Sequence, residues 1–397
     1  MGCAALPPAP ASCRSAPLVD ESRRQAFVAA VMKVLFVTQY GVLAASSRTR
    51  VFQYLPFLQQ EGVETQVITV LPDHRIAATQ VQVMRHKWRK LSYYAWASWR
   101  TFICGLQAWW KGRSCDVLFI QKVIFPAPVR WLFRLYQPPV AYDFDDAIFT
   151  TEVQQQNWLA RFKERRNARG LPAMLRLADL AVVENPYTAA FATRHGPQVA
   201  IITGPIDTQR YCATDTEAAD NGNIVLGWIG SATTLPYLDL IIAPLERLCR
   251  RFPQAHLRLV GASEVPQGDL PIETKAWNLE EEVDDLRSFD IGLMPMPDDL
   301  WTRGKGGYKL LQYMAMGLPV VASPVGINQE IVSDGENGFW ASDAAEWEDR
   351  LARLITDAQL RRDMGQRGRA AMEARYALDV SSRRLFELLQ QLEQKRA

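Results

Sequence analysis

The stretch from Trp301 to Gly338, WTRGKGGYKLLQYMAMGLPVVASPVGINQEIVSDGENG, concentrates residue types that bind anions. Arg303, Lys305 and Lys309 surround a glycine-rich turn (Gly304, Gly306, Gly307) that leads into a helical pattern. Glycines let the backbone approach a ligand, and a helix start offers unpaired N–H groups to an anion. Lysines beside them add charge for a phosphate. The combination reads as a diphosphate cradle, although these residues alone also suit a solvated basic loop with incidental glycines.

Two further groups could do chemistry. Asp143, Asp145 and Asp146 in VAYDFDDAIF follow an apolar run, and three carboxylates at a strand end are costly unless solvated, paired or used. If the strand continues, alternation puts Asp143 and Asp145 on one face. Asp145 or Asp146 is expected to orient acceptor or donor hydroxyls; capping of the next helix and a metal site are the alternatives. Earlier, Arg48 and Arg50 stand at a helix start after Ser46 and Ser47. They could reach a phosphate or an anionic acceptor. The competing reading is a serine N-cap with exposed arginines.

The elements that must position these groups read as two β/α series. Lys33 to Thr38 is a short apolar, β-branched run of the kind found in buried parallel strands. Val51, Tyr54, Leu55 and Leu58 then recur at helical spacing up to Gly62, and Glu64 to Val70 is the next strand. Further strands are expected at Asp116 to Ile120, Val140 to Phe144 and Leu180 to Val183. The pattern restarts at Ile224 to Ile229, with a helix face through Leu238, Ile241, Leu245, Leu248 and Phe252. Strands follow at Leu257 to Val260, Ile291 to Met294 and Pro319 to Ala322, and an amphipathic pattern through Val380, Leu385, Leu388, Leu389 and Leu392 closes the chain. This predicts an extension over 1–31, a first domain over 32–204, a linker over 205–223, a second domain over 224–376 and a closing helix over 377–397. The extension is small and Pro-rich and is expected to be disordered, with folding starting at Met32. Crevices at the strand ends of open α/β sheets are where ligands bind.

With these elements in place, the helix and strand through Met314-Ala315-Met316-Gly317-Leu318-Pro319-Val320-Val321-Ala322, followed by Glu330-Ile331-Val332, Gly335 and Gly338, resemble the donor-binding half of family 4 glycosyltransferases, the glycosyl transferases group 1. Pro205-Ile206-Asp207 with Tyr211 resembles that family's linker, and Leu360-Arg361, Met364-Gly365 and Gly368-Arg369 its closing pattern. The resemblance runs from Met32 to about Tyr376. It implies an α/β GT-B fold: two Rossmann-like doubly wound domains facing a cleft, with a C-terminal helix crossing back. It further implies a nucleotide-sugar donor held mainly by the second domain, retention of anomeric configuration, and no metal or other cofactor. The residues and the resemblance together give Gly230, Ser231, Arg303, Lys305, Gly306, Gly307, Lys309 and Gln312 as the residues expected to bind the donor. Asp143, Asp145, Asp146 and Lys309 are the catalytic candidates, and Arg48 and Arg50 face the acceptor.

The sequence departs from that pattern where the family carries two glutamates eight positions apart, since the corresponding residues are Gly304 and Gln312. An amide still offers a donor and an acceptor to a ribose hydroxyl, whereas Gly304 offers no side chain. The family's Arg and Lys after the first strand of the second domain are also missing, the loop reading Gly230-Ser231-Ala232-Thr233-Thr234. Arg303, Lys305 and Lys309 are expected to neutralise the diphosphate instead, since charge building on a leaving diphosphate is the main electrostatic task of such a reaction. The loss of the glutamate pair favours a rival reading, a non-catalytic nucleotide- or glycan-binding relative. A sugar-nucleotide epimerase on the same fold is a second rival.

Composition narrows the field. The chain has 397 residues, a formal net charge of +2, and six cysteines and four histidines at no metal-binding spacing. A charge that small does not argue for nucleic acid, and reduced thiols suit a cytoplasmic setting. Between His74 and Cys115 the sequence is rich in Lys, Arg, Trp and Tyr and has no Asp or Glu. That is the make-up of a helix lying on anionic lipid, so an anionic membrane surface, on the inner face of the cytoplasmic membrane, is an expected partner beside the donor and a glycan or lipid-linked acceptor. The same aromatics could instead pack inside the first domain.

Overall fold

The computed structural model describes residues 31–74, 87–135, 138–150, 158–212, 222–262 and 266–395. The expectation for residues 1–30, and part of those for the linker and for the basic stretch, lie outside the described residues. The first sheet joins β1 (Lys33–Tyr40), β2 (Glu64–Leu71), β3 (Val117–Gln121), β4 (Val140–Phe144), β5 (Leu180–Val183) and β6 (Gln198–Ile201) in the order β2-β1-β3-β4-β5-β6. Every neighbouring pair is parallel. The second sheet joins β7 (Ile224–Ile229), β8 (Ala255–Val260), β9 (Ile272–Lys275), β10 (Ile291–Met294), β11 (Val320–Ala322) and β12 (Phe339–Trp340) in the order β12-β11-β10-β7-β8-β9. It too is parallel throughout.

The strands are apolar on both faces because both faces are covered. On one face of the first sheet Leu35, Val37, Leu118, Ile120 and Tyr142 meet Cys104 and Ala108 of the helix Lys87–Gly112. On the other, Val34, Phe36, Phe119 and Val182 meet Leu385, Leu388, Leu389 and Leu392 of the final helix Leu378–Gln394. The last helix of the chain therefore does cross back to seal the first domain. In the second domain the helix Tyr308–Ala315 closes one face, and the helices Ile242–Arg251 and Ala344–Thr356 close the other.

The strand order reverses between β1 and β3 in one sheet and between β7 and β10 in the other. Gly230 and Ser231 follow β7 and Arg303, Lys305, Gly306 and Gly307 follow β10, while Asp143, Asp145 and Asp146 stand at the end of the neighbouring strand β4. Three strands escaped the sequence reading: β6, β9 and β12. They are edge or near-edge strands of two to four residues with mixed burial, too short to show a period. The pattern around Val51 is also not one helix. A π-helical turn Arg48–Phe52 lies between the short helices Ala45–Ser47 and Leu55–Gln60.

Candidate active site at the interdomain cleft

The first domain brings charge to the cleft in an ordered ladder. Lys122 follows β3 and Asp146 follows β4, and both hold positive φ, 61° and 47°. Bulky residues avoid that region unless their surroundings over-determine it. Here the Lys122 N–H donates to the Asp143 carbonyl at 2.7 Å, and Lys122 Nζ lies 2.5 Å from Asp145 and 3.6 Å from Asp146. Burial works to lower the Lys122 pKa, but Asp145 and Asp146 outweigh it and the net shift is upward. Because β4 ends at Phe144, Asp145 leaves the strand's alternation and turns to Lys122, while Asp143 stays with Arg50.

The π-helical turn aims Arg50 inward. Its Nε and Nη2 bind the Asp143 carboxylate at 3.0 and 2.5 Å, and its Nη1 donates to the Ile202 carbonyl at 2.5 Å and lies 3.5 Å from Glu184. Burial pushes the Asp143 carboxyl up to about 6 against the pull of Arg50, so at neutral pH the pair is ionic. Arg48 donates to the Val42 and Leu43 carbonyls, and its guanidinium lies 6.0 Å from the centre of the Trp277 ring of the second domain. The reading of a serine N-cap with exposed arginines is corrected: Ala44 is the N-cap without a side-chain bond, and both arginines are buried. Ser46 and Ser47 bond Gln121 instead, at 3.0 and 2.8 Å, since an amide at the end of β3 satisfies both hydroxyls.

The second domain presents the glycine-rich turn. Gly307 is the N-cap of the helix Tyr308–Ala315 with φ 69°, and an added Cβ would lie 2.5 Å from Ile331. Lys309 reaches back over the loop after β7. Its Nζ lies 3.2 Å from Thr234 Oγ1 and 4.3 Å from the centre of the Trp228 ring, and a Cβ on Gly230 would stand 2.6 Å from it. No carboxylate pairs with Lys309 among the described residues. Burial, with help from Lys305, lowers its pKa to about 7. Ser231 is exposed beside it, its hydroxyl 2.9 Å from Thr233 Oγ1. Arg303 turns outward, with Nε and Nη2 on Asp298 at 2.6 and 3.0 Å.

Where the halves meet, Lys305 Nζ lies 3.1 Å from Asp146, and Asn185 Nδ2 donates to the Lys305 carbonyl at 3.1 Å. A Cβ on Gly304 would lie 2.4 Å from that of Ala147 and 2.7 Å from its backbone nitrogen. A glutamate at 304 has no room in this arrangement, which is a steric reason for the glycine. Gln312 is buried and donates to the Tyr211 hydroxyl at 3.2 Å. Tyr211 in turn bonds Glu282, whose other oxygen accepts from Trp277 Nε1 at 2.6 Å. So the Gln312 amide is occupied by the linker, and Arg303 by Asp298, while Lys305 and Lys309 face the cleft. Sequence reasoning missed Lys122, Glu184, Asn185, Glu282 and Trp277. Lys122 and Glu184 each directly follow a buried strand, the one signal that marks them.

The family model Glycosyl transferases group 1 matches residues 223–357, the domain that holds the glycine-rich turn. A D-inositol 3-phosphate glycosyltransferase of Corynebacterium urealyticum is 24% identical over 244 residues, covering 54% of this chain and 55% of that protein. The chain thus spans about half the length of the curated relatives it matches. Among solved structures, Anabaena HepE in complex with UDP and glucose superposes with a TM-score of 0.63 at 14% identity, over 90% of this chain and 99% of that one. Sucrose-phosphate synthase from Thermosynechococcus elongatus superposes with a TM-score of 0.65 at 16% identity, over 91% and 99%. At those identities the likeness establishes the GT-B fold.

Proposed function

We propose that this chain, which has the GT-B fold and whose residues 223–357 match the glycosyl transferases group 1 model, moves a sugar from a nucleotide-sugar donor to a glycan or lipid-linked acceptor, with retention, in surface polysaccharide or glycolipid synthesis. The observation that carries this reading is Lys309. A lysine held close to neutral, without a carboxylate, beside the Gly230–Ser231 loop and at the start of a helix is a cation waiting for an anion. A diphosphate supplies that charge, and its leaving oxygens are where negative charge grows. Lys305 is the second cation; donor binding would draw it from Asp146, 3.1 Å away. The relatives' names and the UDP in the HepE complex support a nucleotide donor.

Peripheral attachment to an anionic membrane belongs to the same proposal. The helix Lys87–Gly112 buries Cys104 and Ala108 while Trp88, Trp99 and Trp110 stand 82%, 62% and 67% exposed. Among the described residues no helix is long and apolar enough to cross a membrane.

The test is a calorimetric titration with UDP, GDP, ADP and CMP. One of them should bind saturably, and Lys309→Ala should weaken it by roughly thirtyfold, the equivalent of about 2 kcal/mol for one charge-assisted contact. Affinity unchanged in Lys309→Ala would remove the diphosphate from this site.

A further inference from the structure

Glu184 belongs to none of the sequence patterns above, yet it stands at the seam of the two domains. It follows β5 directly, and its backbone is fixed by Thr203 Oγ1, which donates to the Glu184 carbonyl at 2.5 Å. Its side chain reaches the glycine-rich turn: a Cβ on Gly306 would lie 2.0 Å from Glu184 Oε2. The next residue, Asn185, holds the carbonyl of Lys305, so one short segment of the first domain touches that turn at two consecutive positions. On its other side Oε1 lies 3.5 Å from Arg50 Nη1, but that nitrogen already donates to the Ile202 carbonyl, and Nε and Nη2 are committed to Asp143.

The titratable groups around this carboxyl are Arg50 from the π-helical turn, Tyr54 just after it, and Asp143, Asp145 and Asp146 from the end of β4, the last two paired with Lys122 and Asp146 also with Lys305 of the turn itself. Burial, joined by the three aspartates and opposed by Arg50, pushes the Glu184 carboxyl up to about 8. That upward shift favours the protonated acid at neutral pH. A carboxylate at this point would repel a diphosphate, whereas a neutral carboxylic acid can donate to one, as buried acids do where an anion must be held.

We propose that Glu184 donates a hydrogen bond to a phosphate oxygen of a nucleoside diphosphate on the Gly306 turn, a donor contributed across the cleft by the first domain. The proposal rests on the donor-site reading above and deepens it. Gly304 and Gly306 have no side chains to offer the diphosphate, and the space above Gly306 is filled by Glu184 itself. The proton stays on Glu184 throughout: the residue positions the leaving diphosphate and takes no part in bond making or breaking. Such a contact forms only when the domains are together, so it couples diphosphate binding to closure.

Two measurements on the full chain test this, with UDP as the probe. In an infrared titration, the wild-type minus Glu184→Gln difference should show a protonated carboxyl band at neutral pH that fades above about pH 8; no such band overturns the proposal whatever nucleotide binds. In UDP titrations across the same range, wild-type affinity should fall more steeply above that pH, by up to about tenfold for each further pH unit. Glu184→Gln, whose amide still donates, should lose that extra steepness, and Glu184→Ala should bind more weakly at every pH. An alkaline loss as steep in Glu184→Gln as in the wild type contradicts the proposal. Absence of UDP binding by the wild type, with the band present, locates the failure in the donor site and removes the phosphate contact with it.

Discussion

At the scale of single residues the cleft is built from charges whose partners were chosen unequally. Asp143, Asp145 and Asp146 each have a cation within 3.1 Å, and Arg303 has Asp298. Among the described residues Lys309 has only a hydroxyl and an aromatic face. Its pKa near 7 sets a direction for pH dependence. The charged form favours an anion, so nucleoside diphosphate affinity is fully present below that pH and declines as pH rises through it. Calorimetry at pH 6 and pH 8, roughly one unit either side of this pKa, should show weaker binding at the higher pH, by as much as about tenfold; equal affinities at the two would mean that Lys309 does not carry the anion. Lys305 and Lys309 stood out in the sequence because glycines, lysines and a helix start share one stretch. Glu184 was not, since a lone glutamate after a strand looks like any surface acid until the fold buries it among three aspartates.

At the scale of elements, the parallel strands of four or more apolar residues were readable, and those bearing the site were among them. The short edge strands were not, because two to four residues of mixed burial carry no period. Nor was the π-helical turn Arg48–Phe52, which turns Arg50 to Asp143 and is decided by that buried pair rather than by propensity. The helix Lys87–Gly112 reconciles two readings of one composition. Trp96, Phe102 and Trp109 pack against the first domain's core, while Trp88, Trp99 and Trp110 recur every eleven residues, about three helical turns, and stay exposed. Lys111 and Arg113 are exposed at the same end as Trp110. Flotation with anionic vesicles should carry the protein, less so at high salt. Replacing Trp99 and Trp110 together by serine should reduce binding at least about tenfold, given roughly 2 kcal/mol for each apolar side chain buried in the interface. Equal flotation of wild type and double variant would assign these tryptophans another role.

At the scale of the whole molecule, the two domains are tied twice. The final helix seals the first sheet after the chain has completed the second domain, and the cleft itself is bridged by Lys305–Asp146 and Asn185–Lys305. The described conformation is thus one in which the glycine-rich turn already touches the first domain, with Gly304 against Ala147 and Gly306 against Glu184. A donor diphosphate entering beside Lys309 would compete for Lys305, exchanging an ion pair within the protein for one with the ligand. In the proposed transfer, closure of the cleft would exclude water. The loss of the family's glutamate pair is consistent with this architecture, since one position is filled by the opposing backbone and the other serves Tyr211. Sugar transfer is tested most directly by nucleoside diphosphate release from UDP-, GDP- and ADP-sugars with and without a bacterial lipid or glycan extract. Release is expected from one donor class and only with the extract, with the sugar recovered on an acceptor. Binding of a nucleotide with no extract-dependent release from any donor would contradict it, as would an epimerised donor formed without acceptor.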